Sequence, residues 1–327
     1  MIDLRTAGRV ALEQFVLGIR PARNAVDPRR PYGFFVEEEA RAGGGTRRTA
    51  AILLTNRECP WRCLMCDLWK NTLEEPTPKG AIPQQIRFAL ERLPPADTLK
   101  LYNAGSFFDR AAIPKEDHAE IASLSRGFSR VVVESHPSLV GEACLRFRDL
   151  LGGPELEVAL GLETANEEIL RTLNKGMTVA DFEGACRFLA AHAIRIRSFV
   201  LVGLPFLRRE EWAAATRASV ETSFRAGAAV VSLIPTRLGN GSLEELQRQG
   251  QFDAPTLSDL ETALEDFLES EEGDARPAGL VVADLWDAER LAAPACCRAA
   301  RIERLRRINT IQRNLPLPPC PSGLRHS

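Results

Sequence analysis

The sequence predicts an α/β fold: a partial (β/α)6 TIM-like barrel, preceded by an N-terminal helix and hairpin and followed by a mostly helical C-terminal extension. Three observations predict it. Between residues 48 and 240, short apolar runs alternate with amphipathic stretches of helix length, the pattern of βα units on a parallel sheet. Three cysteines crowd into the segment directly after the first of these runs. Beyond residue 241 the alternation fades into helix-like sequence. The expected divisions are therefore an arm over 1–47, a barrel over 48–240 and an extension over 241–327.

The first element is an amphipathic helix, with Leu4, Val10, Phe15 and Ile19 as its apolar positions. A polar, proline-containing stretch follows, and then FFVEEE and TAAILLT around Gly43-Gly44-Gly45 read as a hairpin. Further strand-like runs fall at 98–103, 130–134, 156–162, 196–202 and 228–234, with a weaker one at 280–284. Helix-like stretches lie between them at 83–93, 115–126, 138–151, 179–192 and 209–227. Counting from the run that precedes the cysteines gives six units, short of a full eight.

Composition suits an enzyme domain. The 327 residues are 45% hydrophobic and 26% charged, enough for a sizeable core. A net charge of −2 predicts no general attraction to nucleic acid or membrane. Asp3, Arg5, Arg9 and Glu13 interrupt the N-terminal apolar residues, so this segment does not read as a signal peptide. No run approaches the roughly 20 apolar residues that span a bilayer. Eight cysteines without an export signal read as reduced thiols and metal ligands in a cytoplasmic protein.

The cysteine run is Cys59-Pro-Trp-Arg-Cys63-Leu-Met-Cys66. Three thiolates at this spacing can wrap one iron–sulfur cube, and four irons held by three cysteines leave one iron without a protein ligand. An open coordination position is what a catalytic metal needs, an argument best established for zinc. The competing readings are zinc held by the three cysteines plus a fourth ligand, and a buried cluster of reduced thiols.

This spacing after a first strand resembles the radical S-adenosylmethionine (radical SAM) superfamily. The resemblance implies a [4Fe-4S] cluster on Cys59, Cys63 and Cys66, with S-adenosyl-L-methionine on the vacant iron. It implies reductive cleavage to a 5′-deoxyadenosyl radical that abstracts hydrogen from substrate, and a reducing electron donor such as flavodoxin or ferredoxin. In such barrels the chemistry sits at the C-terminal ends of the strands.

The remaining strand ends are expected to carry the cofactor pocket. The second ends in Asn103-Ala104-Gly105-Ser106-Phe107, a small-residue turn that lets backbone approach a ligand. The superfamily usually has two Gly and a Glu here, so Ser106 and carbonyls become the candidate acceptors of the methionine amino group. The third brings Glu134, Ser135 and His136 to the rim, as helix-start chemistry or as site residues. The fourth, GLETANEEILRTLNKGMT, resembles the methylthiotransferase and elongator-type branch through Gly161, Glu163, Thr164, Asn174, Lys175 and Gly176. That implies Glu163 and Thr164 against the ribose hydroxyls and the methionine carboxylate, the alternative being a helix cap at Thr164 or Asn166. On the fifth, Arg197 either reaches a carboxylate or marks strand-start polarity, and Gly203-Leu204-Pro205 lies where the branch places adenine. The sixth ends at Pro235, Thr236 and Arg237. Met65 departs from a common aromatic and offers a flexible thioether over adenine.

Wider wording, including YNAGSFFD, ESHP and VVADLWD, is similar to radical SAM proteins related to the archaeosine-synthesis lyase, which works on a lysine-bearing deazaguanine in tRNA. A tRNA base thereby becomes a candidate substrate, and the six arginines of RAARIERLRRINTIQR (298–313) a candidate phosphate contact. The near-neutral balance points the other way, towards an ordinary solvated helix face. A zinc-stabilised RNA-binding protein is the alternative function. Cys296, Cys297 and Cys320 read as unpaired thiols or a partial second metal site, and Cys144 and Cys186 as core.

Overall fold

The computed structural model describes residues 4–268 and 279–320. Its strands are β1 (Gly33–Ala40), β2 (Thr46–Leu54), β3 (Thr98–Asn103), β4 (Arg130–Ser135), β5 (Glu155–Glu163), β6 (Arg195–Val202), β7 (Val230–Pro235) and β8 (Leu280–Ala283). The helices are α1 (Arg9–Ile19), α2 (Ala81–Leu90), α3 (His118–Ser125), α4 (Glu142–Leu151), α5 (Glu167–Thr172), α6 (Val179–Ala191), α7 (Trp212–Arg225), α8 (Ser242–Arg248), α9 (Leu257–Glu265) and α10 (Arg298–Ile311). All eight strands form one sheet in chain order. β1 and β2 pair antiparallel, as the hairpin pattern requires, and every later pairing is parallel.

Alternation along the strands sorts side chains between two environments. On β5, Val158, Leu160 and Leu162 join the core under the helices, while Ala159, Gly161 and Glu163 line the barrel interior. β3 and β6 divide in the same way, sending Lys100, Tyr102, Arg197 and Phe199 inward. The inner charges are paired. Arg197 donates from Nε to Glu157 Oε1 at 2.8 Å and lies 3.1 Å from Glu39, and Lys100 lies 2.6 Å from both Glu37 and Glu39. Burial pushes the Glu39 carboxyl up, but Arg197 and Lys100 beside it overcome this and hold it well below the usual carboxylate range.

The barrel differs from the expected one in its last strand. The weak run at 280–284 forms β8, a seventh parallel strand with Val230 opposite Leu280. The extension is therefore not wholly helical. Its strand is hard to read because α8 and α9 separate it from β7, which breaks the βα rhythm.

β1 and β8 end the sheet without pairing to each other. α10 covers the open edge of β8 with side-chain amides. Asn309 accepts from the Ala283 N–H and donates to its carbonyl, both at 2.8 Å. Gln312 makes the same two bonds to Val281, at 3.2 and 3.0 Å. An edge paired in this way offers no template for another chain. Across the gap Trp286 stacks on Phe35 of β1, centroids 5.4 Å apart.

Candidate active site

A cavity of 1020 Å3 opens at the C-terminal ends of the parallel strands, and Cys59, Cys63 and Cys66 lie on its wall. The loop that carries them is tied on several sides. The Leu64 N–H donates to Leu173 O at 2.9 Å, and Asn174 Nδ2 donates to Arg62 O at 2.9 Å. Asn240 Nδ2 donates to Leu64 O at 2.8 Å. Glu58, buried just before Cys59, is held by Arg20 at 2.7 Å, by Arg62 at 3.2 Å and by Arg23. Trp61 stacks on His136, centroids 3.7 Å apart and rings 10° from parallel. His136 accepts from the Ser138 N–H at Nδ1 (3.2 Å) and donates from Nε2 to Lys175 O (3.0 Å). Burial, with Lys175 nearby, pushes its pKa down to about 4, so the ring is neutral.

Burial pushes each of the three thiols up to about 12. A metal that takes thiolates must displace those protons. Lys175 opposes the burial effect at Cys59 and Cys63 and is itself 2.5 Å from Glu163. Burial alone would push Lys175 down; Glu163, Cys63 and Cys59 hold it above the ordinary lysine range. Burial raises Glu134 to about 8, against a hydrogen bond from the Asn103 backbone. Asn103, buried at the end of β3, has neither amide atom hydrogen-bonded to protein, the arrangement of a side chain awaiting a ligand.

The expected site residues divide into two groups. Met65, Gly105, Glu134, Glu163, Arg197 and Pro235 line the cavity together with the three cysteines. Ser106, Thr164 and Gly203 lie behind that wall. Ser106 shares a 3.0 Å hydrogen bond with Ser135, and Thr164 Oγ1 accepts from the Asn166 N–H at 3.1 Å. Gly203 packs on Pro255, which a β-carbon there would meet at 2.8 Å. Arg197 reaches carboxylates, those of Glu39 and Glu157.

Several wall residues carried no assignment from sequence. Asn103 is a plain asparagine at a strand end, marked only by its missing partners, and Asn240, outside the cavity lining, is marked only by its bond to the cysteine loop. Asp284 and Trp286 enter through β8 and lie within the VVADLWD wording. The Arg-rich stretch behaves differently from the expected basic face. Arg301 and Arg304 are buried against Glu261 and Glu265 of α9, because the helix packs on the barrel through that side. Arg306 and Arg307 are exposed, at the cavity rim.

No family model matches the chain. Over 277 residues it is 23% identical to an uncharacterized protein of Methanocaldococcus jannaschii, covering 80% of this chain and 74% of that protein. Over 157 residues it is 27% identical to archaeosine synthase subunit beta of Thermococcus kodakarensis, 46% of this chain and 48% of that subunit. The similarity of the chain to that subunit agrees with the archaeosine-related wording of the sequence. Its match spans about half the length of that subunit. Among solved structures, the queuine lyase from Clostridium spiroforme bound to SAM and queuine is similar at a TM-score of 0.47 and 18% identity, covering 66% of this chain and 87% of that one. No helix among the described residues is long and apolar enough to cross a membrane.

Proposed function

We propose that the chain is a radical SAM enzyme whose cluster is held by Cys59, Cys63 and Cys66 and whose substrate sits in the barrel cavity. One observation carries this reading: three half-buried thiols share a 1020 Å3 cavity with Asn103, Glu134, Glu163 and Lys175, at the end of the barrel where such folds place chemistry. The donor set fits the group. Among the described residues, these three sulfurs do not form a trio within 4.8 Å of one another, whereas a single tetrahedral zinc would require one. A cube binds each thiolate through a different iron. When bound, the cluster and S-adenosylmethionine supply a hydrogen-abstracting 5′-deoxyadenosyl radical.

The chain's own residues bind, orient and enclose. Glu134 and Glu163 present carboxyl oxygens for amino and hydroxyl donors, with Lys175 orienting Glu163. Gly105 gives close backbone approach, and Met65 and Pro235 offer apolar surface to adenine. Ser106, Thr164 and Gly203 act from behind, holding Ser135, the loop before α5 and the end of β6 in place. Arg197 ties Glu39 and Glu157 across the cavity floor.

The substrate class we favour is a modified base, on the strength of the archaeosine synthase relative. If the base is carried on tRNA, Arg306 and Arg307 at the rim are the cations its phosphates meet, and a flavodoxin or ferredoxin supplies the electron. Iron content tests the core of the reading. Each of Cys59→Ala, Cys63→Ala and Cys66→Ala should lose cluster iron after anaerobic reconstitution, while Cys144→Ala keeps it. Full iron in any of the first three overturns the ligand set.

A further inference from the structure

Three other cysteines meet far from the cavity loop in sequence. Cys297 is the N-cap residue of α10, Cys296 precedes it, and Cys320 comes from the tail beyond the helix. The tail returns because Gln312 takes a left-handed conformation (φ 52°) at the helix end. It then runs back along α10, where Arg304 donates from Nε to the carbonyls of Leu315 and Pro316 at 2.7 and 3.2 Å. That path delivers Cys320 to the start of the helix. The three sulfurs lie within 4.8 Å of one another, and those of Cys296 and Cys320 are 3.2 Å apart.

Spacing and chemistry select the ligand. Tetrahedral zinc with Zn–S near 2.3 Å sets its thiolates roughly 3.8 Å apart, close to what the trio already shows. A cube spreads its thiolates over different irons and needs a wider set. Soft thiolates favour zinc over hard cations such as magnesium or calcium. Three thiolates on a dication leave one negative charge, placed at the positive end of a 14-residue helix and next to Arg301. Binding releases the thiol protons, so it weakens as pH falls. Cys297 is buried and Cys296 exposed, which gives an ion a route from solvent.

The geometry points to a mononuclear zinc site formed by Cys296, Cys297 and Cys320, completed by one solvent ligand, that staples the tail to α10. The staple has a structural consequence at the cavity. α10 closes the β8 edge through Asn309 and Gln312 and brings Arg306 and Arg307 to the rim, so fixing its N-terminus to the tail steadies that wall. The site is independent of the Cys59 triplet.

The test is zinc, iron and copper content by mass spectrometry on full-length protein purified under reductant. Wild type and the Cys59→Ala/Cys63→Ala/Cys66→Ala variant are compared with Cys297→Ser and Cys320→Ser in each background. The site predicts about one zinc per chain in the first two, and at least a tenfold loss of zinc affinity in both serine variants. Cobalt added to the triple-alanine protein should give the intense bands of tetrahedral thiolate coordination, absent after Cys320→Ser. Cys320→Ser carries the test by itself if the buried Cys297→Ser fails to fold. Zinc that survives Cys320→Ser overturns the site. So does iron or copper in place of zinc in the triple-alanine protein, or a metal-free Cys296–Cys320 disulfide in reduced preparations.

Discussion

A β-carbon on Gly105 would lie 2.8 Å from the β-carbon of Cys59, so the turn after β3 is pressed against the first residue of the cysteine triplet. Its φ of +117° is one that L side chains rarely adopt. Gly105→Ala should therefore displace the cysteine loop, cost on the order of 1–3 kcal/mol, and lower iron loading. Iron per chain after reconstitution is the readout. Wild-type loading with unchanged stability would show that the loop has slack.

Glu163 is the next test. Its carboxylate sits 2.5 Å from Lys175 on the cavity wall. Glu163→Gln should weaken S-adenosylmethionine binding by about 1.5–3 kcal/mol, as for loss of a charge-assisted hydrogen bond, while iron is retained. Calorimetry measures the affinity and a melting curve run alongside separates it from unfolding. Unchanged affinity would make the pair purely structural.

Stability should fall in acid through His136. The pKa near 4 lies below the unfolded value of about 6.5, so the unfolded chain takes up a proton first as pH drops from 6.5 to 4. Stability present above 6.5 is lost across that window, by at most on the order of 3 kcal/mol. His136→Asn should flatten part of this slope in the cluster-free protein. An identical pH profile would place the proton uptake elsewhere, His118 being the other histidine pushed to about 4.

Arg301 and Glu261 form a buried pair, 1% and 4% exposed at their side chains. Arg301→Ala should cost about 3–5 kcal/mol, because it strands a buried carboxylate. The reversals Arg301→Glu and Arg304→Glu should unfold the chain rather than weaken tRNA binding selectively. Arg306→Glu with Arg307→Glu is the informative pair for phosphate contact. Salt-dependent tRNA binding that falls with the second pair and leaves the melting temperature alone supports the rim.

Much of the barrel was legible because its signals are local. The hairpin around Gly43–Gly45, five later strands and the cysteine triplet all announce themselves within a few residues. β8 was faint because four residues of strand follow two intervening helices. Ser106 and Thr164 lie at the expected strand ends, but side-chain direction depends on how each turn closes, and both face the protein behind the wall. The burial of Arg301 and Arg304 is hidden from the sequence for a related reason. A charge is visible in sequence, while its partners, about 40 residues away on α9, are not. The meeting of Cys320 with Cys296 and Cys297 likewise depends on a tail that doubles back.

A cluster on the cavity triplet would support reductive cleavage of S-adenosylmethionine. The direct measurement is 5′-deoxyadenosine released by anaerobically reconstituted protein after addition of dithionite, compared with Cys63→Ala. About four irons per chain at the triplet and 5′-deoxyadenosine from the wild type alone are expected. Colourless protein that binds zinc through Cys59, Cys63 and Cys66, with no 5′-deoxyadenosine, would contradict it.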